Sequence, residues 1–190
     1  MFTAVEQLAC EEMERRQARC RMILASVAPD AGGILVFSRL NIYYLTGTWG
    51  GGVLWFPLEG APVLCVRRGV SRCRLESPLK HMCSFISYGE IPALCAEAGS
   101  PLTTVLAAEM GALPWSLANL LQTRLKGYAF RAGDRALALA RAVKTPWELR
   151  KLRLAGQRHD AAVCDVLPGI LRPGMTEREI AVAAWKVFFH

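Results

Sequence analysis

The residues best equipped for chemistry fall in a few short stretches. Arg67, Arg68, Arg72 and Arg74 crowd the run Arg67 to Glu76, directly after an apolar segment. Guanidinium groups at a strand end clamp a carboxylate through paired N–H donors. A solvated loop with surface ion pairs is the other reading of the same residues. Glu109 follows a second apolar segment and is expected to meet one of those arginines in an exposed pair of little energetic weight. Gly47-Thr48-Trp49-Gly50-Gly51-Gly52 ends in three consecutive glycines, which cost folding entropy unless something requires them. Either the backbone there approaches a ligand or a partner subunit with Trp49 as aromatic anchor, or a tight β-connection needs the room.

Other chemistry is poorly supplied. The histidines are His81, His159 and His190. His159 and Asp160 are neighbours on a helix, about 100° apart, so they do not chelate one metal together. No H-E-x-x-H, G-x-S-x-G, P-loop or G-x-G-x-x-G occurs. The seven cysteines (Cys10, Cys20, Cys65, Cys73, Cys83, Cys95 and Cys164) are odd in number and contain no C-x-x-C. Their spacings match no zinc pattern, and most lie among apolar neighbours, where a thiol acts as a small hydrophobe. That usage reads as a reducing, cytoplasmic compartment.

The elements that must position these residues alternate. A helix is predicted from the capping pair Thr3 and Glu6 through Val27, with Val5, Leu8, Met13, Cys20, Ile23 and Leu24 on its stripe. Strands are predicted at Ile34–Phe37, Asn41–Leu45, Val53–Phe56, Pro62–Val66, Phe85–Tyr88, Thr103–Ala108 and, as a weak edge, Tyr128–Phe130. Val53–Phe56 and Pro62–Val66 flank a turn and read as a hairpin. Helices are predicted at Ile91–Glu97, from Leu113-Pro114-Trp115 to Arg124, and over Asp134–Val143. At Lys144 the pattern changes. Thr145-Pro146-Trp147-Glu148 is a cap, a first-turn proline and a capping glutamate, opening a helix of about twenty residues that carries Leu149, Leu152, Gly156, His159, Val163 and Val166. Thr176-x-x-Glu179 opens another. Trp115, Trp147 and Trp185 fall at core-like positions. The expected architecture is α/β, a mixed β-sheet flanked by helices over residues 1–143, followed by helices only over 144–190.

Composition narrows the function classes. The chain has 190 residues, 53% hydrophobic and 21% charged, with a net charge of +7. Disorder is excluded by the apolar content. The arginines are dispersed, without a basic tail or interleaved aromatics, so no nucleic-acid partner is expected. No apolar run nears the ~20 residues of a membrane span, and the acidic start lacks a signal-peptide layout.

The order of three segments resembles the creatinase, Xaa-Pro dipeptidase (prolidase) and aminopeptidase P family. Asn41-Ile42-Tyr43-Tyr44-Leu45-Thr46-Gly47 after the first strand is similar to a segment of its N-terminal domain. Arg141-Ala142-Val143-Lys144-Thr145-Pro146-Trp147-Glu148-Leu149 resembles the junction into its pita-bread catalytic domain. Gly174-Met175-Thr176-Glu177-Arg178-Glu179-Ile180 resembles the turn into that domain's second helix. The resemblance implies an N-terminal domain over 1–143 and the first helices of a truncated catalytic domain over 144–190.

It implies more about the parent than about this chain. The family cleaves Xaa-Pro peptide bonds, or related C–N bonds as in creatine. Its peptidases use two divalent metals (Mn, Co or Zn) held by two Asp, one His and two Glu, all beyond the second catalytic-domain helix. No ligand or catalytic residue is carried over here; Asp160, Asp165, His159 and His190 are not those ligands. The resemblance implies homodimerisation and a proline-containing peptide as the parent's substrate. Tyr44, Trp49, Arg67 and Arg68 are the residues expected to face substrate or the dimer partner. A stand-alone peptide- or protein-binding module of the same fold and a metal-free creatinase-like amidinohydrolase fragment are the alternatives. For the first, +7 disfavours a basic partner. The last helix, with Ile180, Ala184, Val187 and Phe188, is expected to expose an apolar face.

Overall fold

The computed structural model of the chain describes residues 7–189, with side chains through Val187. The Thr3–Glu6 capping pair, His190 and the Phe188 side chain lie outside what is described. The chain divides into two compact units, residues 1–143 and 144–190.

In the first unit the elements run α1 (Cys10–Val27), β1 (Gly33–Val36), α2 (Arg39–Thr46), β2 (Gly52–Pro57), β3 (Val63–Val66), α3 (Val70–Glu76), β4 (His81–Ser84), α4 (Ile91–Glu97), β5 (Val105–Ala108), α5 (Trp115–Arg124), β6 (Ala129–Ala132) and α6 (Asp134–Ala142). The six strands form one sheet in the order β4-β3-β2-β1-β5-β6. β2 pairs antiparallel with β1 and β3, and the other pairings are parallel. This is the mixed α/β sheet expected from the sequence.

Both sheet faces are covered, which is why the central strands are apolar without alternation. Leu35, Val53, Trp55, Val63 and Cys65 pack with Ile91 and Cys95 of α4 and Leu121 of α5 on one face. On the other, the Arg21 guanidinium of α1 lies 4.9 Å from the Phe56 ring centroid. Ile34 there reaches Gly133, just before α6, so closely that a Cβ at Gly133 would sit 2.3 Å from its Cδ1. The fully enclosed Trp55, Phe56, Leu54 and Ile34 mark the middle of the core.

Four local expectations are corrected. Asn41–Leu45 is helical, not a strand: it forms the middle of α2. Ser38 caps it by accepting from Asn41 N, and Gly47 closes it at φ +83°. Its buried positions are Asn41, Ile42, Tyr44, Leu45 and Thr46 with Tyr43 exposed, a helical spacing that overrides the β-rich composition. The supposed loop after Arg67 contains α3, launched from Gly69 at φ +79°. The strand expected at Phe85–Tyr88 lies upstream at His81–Ser84, so His81 is a strand residue, and Tyr88 opens a 3-10 turn. Trp115 and Trp185 are not core residues, being 81% and 66% exposed.

The second unit is helical: α7 (Pro146–Asp160), a π-helical stretch at Ala161–Val166, α8 (Leu167–Ile170) and α9 (Glu177–Phe189). The capping box predicted at Thr145 is present: Thr145 N donates to Glu148 Oε2 at 2.9 Å and Glu148 N to Thr145 Oγ1 at 3.2 Å. At Thr176 the same exchange occurs with Glu179. Leu152, Val182 and Trp185 are about half or more exposed (54%, 49% and 66%).

Candidate functional site

The segment Ser38 to Gly52 is braced from several elements. Glu109, directly after β5, is 5% exposed. One carboxylate oxygen accepts from Phe37 N and Ser38 N, each at 2.8 Å. The other accepts from Asn41 Nδ2 at 2.6 Å. Glu109 therefore does not pair with the strand-end arginines; it holds the entry to α2. A carboxylate is well placed there because the first N–H groups of a helix lack intrahelical partners. Asn41 Oδ1 is buried and has no hydrogen-bond partner.

The far end of α2 is held from α1. Arg16 Nη1 donates to Tyr44 O at 3.3 Å and Gln17 Nε2 to Leu45 O at 2.9 Å, satisfying carbonyls that a helix end leaves open. Arg16 is enclosed (2% exposed). It is neutralised by Glu12, Nε to Oε1 at 2.9 Å, with the Tyr44 ring 5.0 Å away.

Beyond α2 the chain turns through Thr48 and Trp49. Glu76, the last residue of α3, accepts from Thr48 Oγ1 at 2.7 Å and from Trp49 N at 3.2 Å. Its other oxygen accepts from Arg72 Nε at 2.6 Å. Burial pushes the Glu76 carboxyl up, but the hydrogen bonds from Thr48, Arg72 and Trp49 outweigh it and hold the group below the usual carboxylate value. Ser77 Oγ donates to Thr46 O, tying the residue after α3 to the same turn. Trp49 itself projects, 50% exposed, with its ring edge-on to Tyr43 at 5.8 Å.

The three glycines have a packing explanation. A Cβ at Gly50 would meet Cys73 Sγ at 2.3 Å, and one at Gly52 the Cys65 carbonyl oxygen at 2.0 Å. At Gly51 it would press on the Arg39 guanidinium at 3.1 Å. The protein's own atoms fill the space, so the tight-connection reading accounts for the run.

The four residues singled out from sequence separate. Tyr44 is 4% exposed and donates its hydroxyl to Ala140 O at 2.8 Å; it packs α2 within the unit and presents no surface. Trp49, Arg67 and Arg68 are exposed and leave the same end of the sheet, since Gly52 and Val66 are register partners. The Arg67 guanidinium lies 5.0 Å from the Phe85 ring centroid and 4.9 Å from that of Tyr88, and it donates to Ile86 O. Residues the sequence reading missed are Glu76, Tyr43 and Arg39. The legible trace was Ser38 three positions before Asn41, which is cap spacing.

A separate apolar hollow of about 410 Å³ is lined by Ala108, Met110, Leu113, Trp115, Leu121 and Phe130. Among the described residues no three His, Cys, Asp or Glu side chains come together in a way that could hold a metal ion. The Asp160 carboxylate instead accepts from the Cys164 thiol at 3.5 Å. No described helix is long and apolar enough to cross a membrane.

Comparisons with known proteins agree with this fold. The family described as Creatinase/Prolidase N-terminal domain matches residues 16–143. An Xaa-Pro dipeptidase from Bacillus anthracis superposes with a TM-score of 0.78 at 19% identity, over 92% of this chain and 48% of its own. A prolidase from Pyrococcus furiosus gives 0.72 at 22%, over 88% and 51%. The N-terminal domain of cytoplasmic peptidase PepQ from Mycobacterium tuberculosis H37Rv gives 0.56 at 17%, over 66% of this chain and 98% of that one. The chain thus spans about half the length of the two whole peptidases. No curated protein matches the sequence.

Proposed function

Because this chain belongs to the creatinase/prolidase N-terminal domain family, we propose that it is the non-catalytic N-terminal part of a metal-dependent Xaa-Pro peptidase. In this reading residues 144–190 begin the pita-bread domain, and the metal ligands belong to the parent protein outside this chain. The first unit dimerises and lines the approach to the substrate. The observation that carries this reading is the Trp49 turn. Glu76 and Thr48 fix it, Tyr43 flanks it, and Arg67 leaves the same sheet end held against two rings. An aromatic plate and a pre-oriented guanidinium together suit a short peptide with a pyrrolidine ring and a carboxylate. The half-exposed apolar residues of α7 and α9 also support a parent that continues and covers them.

Reading the source gene beyond the His190 codon tests this. The proposal expects two Asp, one His and two Glu in that order, with Xaa-Pro cleavage only when that part is present. In such a protein, Trp49→Ala is expected to lower kcat/KM for an Xaa-Pro dipeptide by about tenfold or more. A downstream sequence without those ligands would refute the peptidase reading. The second reading, a stand-alone peptide- or protein-binding module, is favoured by one observation: Trp115 stands 81% exposed beside the apolar hollow. A specific peptide ligand quenching Trp115 in the 190-residue chain would support it.

A further inference from the structure

We propose that Cys65 and Cys83 form an oxidisable dithiol whose disulfide clamps the edge strand β4 onto β3. The two residues are Cα partners in the parallel β3–β4 ladder, so their side chains leave the same face. The Cys83 thiol donates to the Cys65 sulfur at 3.4 Å. Adjacent strands lie roughly 4.8 Å apart, inside the roughly 4.4–6.8 Å Cα separation that a disulfide accepts. Rotation about the side-chain torsions is then enough to close the bond. The approach is asymmetric. Cys83 is partly buried at the sheet edge, whereas Cys65 is fully enclosed. Cys95 of α4 also shares a thiol hydrogen bond with Cys65, but it is itself fully enclosed.

The chemistry is a thiol–disulfide exchange with a small disulfide of the glutathione class. The Cys83 thiolate attacks one sulfur of that disulfide, forms a mixed disulfide and expels a small thiolate, which takes up the proton Cys83 lost. The Cys65 thiolate then attacks the Cys83 sulfur and expels the second small thiolate, which takes the Cys65 proton. The protein loses two electrons and two protons, and the small disulfide becomes two thiols. Burial, together with Cys65 and Glu97, pushes the Cys83 thiol up to about 12, with Arg74 opposing. Thiolate is therefore scarce near neutrality, and the pair answers to sustained oxidation and closes faster in alkali.

The bond has a structural reach beyond the two strands. The segment from Cys65 to Cys83 contains α3 and Glu76, the carboxylate that holds Thr48 and Trp49. Closing that segment removes conformational freedom from the support of the Trp49 turn.

The test uses the 190-residue chain with Cys10→Ser and Cys164→Ser, which removes the two exposed thiols. It is incubated with oxidised glutathione at about pH 8.5. The expected product has lost about 2 Da, yields a Cys65–Cys83 linked peptide on digestion, and reverts with dithiothreitol. Its melting temperature rises by roughly 5–10 °C, as closure of a short loop predicts. Cys83→Ser abolishes the mass loss, while Cys95→Ser leaves it intact. A glutathione adduct that persists on Cys83, a link through Cys95, or oxidation seen only in denaturant would each overturn the proposal.

Discussion

Replacing Glu109 discriminates between a buried carboxylate that organises α2 and one that merely fills space. Three donors converge on it, at 2.8, 2.8 and 2.6 Å. Hydrogen bonds to a charged acceptor contribute about 1.5–3 kcal/mol each, and donors orphaned in the interior carry their own desolvation penalty. The three are not additive, because one residue supplies all the acceptors. For Glu109→Ala the expected loss is about 3–5 kcal/mol, a large share of a typical stability of roughly 5–15 kcal/mol. Glu109→Gln behaves differently. Its one carbonyl oxygen can serve Phe37 N and Ser38 N, and its amide then faces Asn41. An amide flip of Asn41 turns the unpartnered Oδ1 toward that amide as its acceptor. Only the charge assistance is lost, so about 1–2 kcal/mol is expected. Urea titration followed by circular dichroism gives both values, and amide exchange at Phe37, Ser38 and Asn41 locates them. If the alanine variant lies within 1 kcal/mol of the parent, or glutamine is as damaging as alanine, the reasoning is refuted.

Three further outcomes follow from the same geometry. Glu12→Ala removes the carboxylate that pairs with the enclosed Arg16 guanidinium and is expected to cost about 3–5 kcal/mol, whereas Glu12→Met with Arg16→Met recovers most of it; a double-mutant cycle in urea measures the coupling. Gly52→Ala drives a Cβ to 2.0 Å from the Cys65 carbonyl oxygen and is expected to prevent the β2–β3 ladder from closing, while Gly69→Ala, at φ +79° in open space, costs about 1 kcal/mol; relative soluble yield and urea midpoints separate the two. The Glu76 carboxyl is held below its ordinary value of 4.5, so its contribution is complete above that pH and disappears as pH falls below it through the folded value. Amide exchange at Trp49, corrected for intrinsic rates, is expected to lose protection between pH 5 and 3, a change that Glu76→Gln removes.

Much of the scaffold is legible in the chain because local chemistry sets it. The wholly apolar runs at Ile34 and Val53, the turn before Pro62, and the Thr145 capping box each state their structure within a few residues. The candidate site is less legible, for a physical reason. Asn41–Leu45 carries aromatic and branched residues that fit a strand, and its helix depends on Glu109, which lies far along the chain and meets Ser38 only after β1 and β5 pair. Glu76 reads as one more charge in an arginine-rich stretch until α3 swings it beneath Thr48. Trp115 shows the converse: its place at the start of an apolar helix suggested burial, yet the sheet is already covered by Leu121 and Leu125 of that segment, and the indole is left outside.

The sheet order also sets a timetable for folding. β1, β2 and β3 are successive antiparallel neighbours, with a short loop between β2 and β3 and the α2 segment between β1 and β2, so their pairing closes shorter stretches of chain than the return of β5 does. β5 must return from far along the chain to place Ala107 opposite Ile34, and such distant closure is slow. The three-stranded meander is thus the natural nucleus, and β1 leaves one edge open until β5 arrives. Since Glu109 directly follows β5, α2 receives its anchor only at that late step. The entry to α2 is consequently among the last features to be fixed, and a nascent chain that has not yet emitted Glu109 carries Phe37, Ser38 and Asn41 without that acceptor.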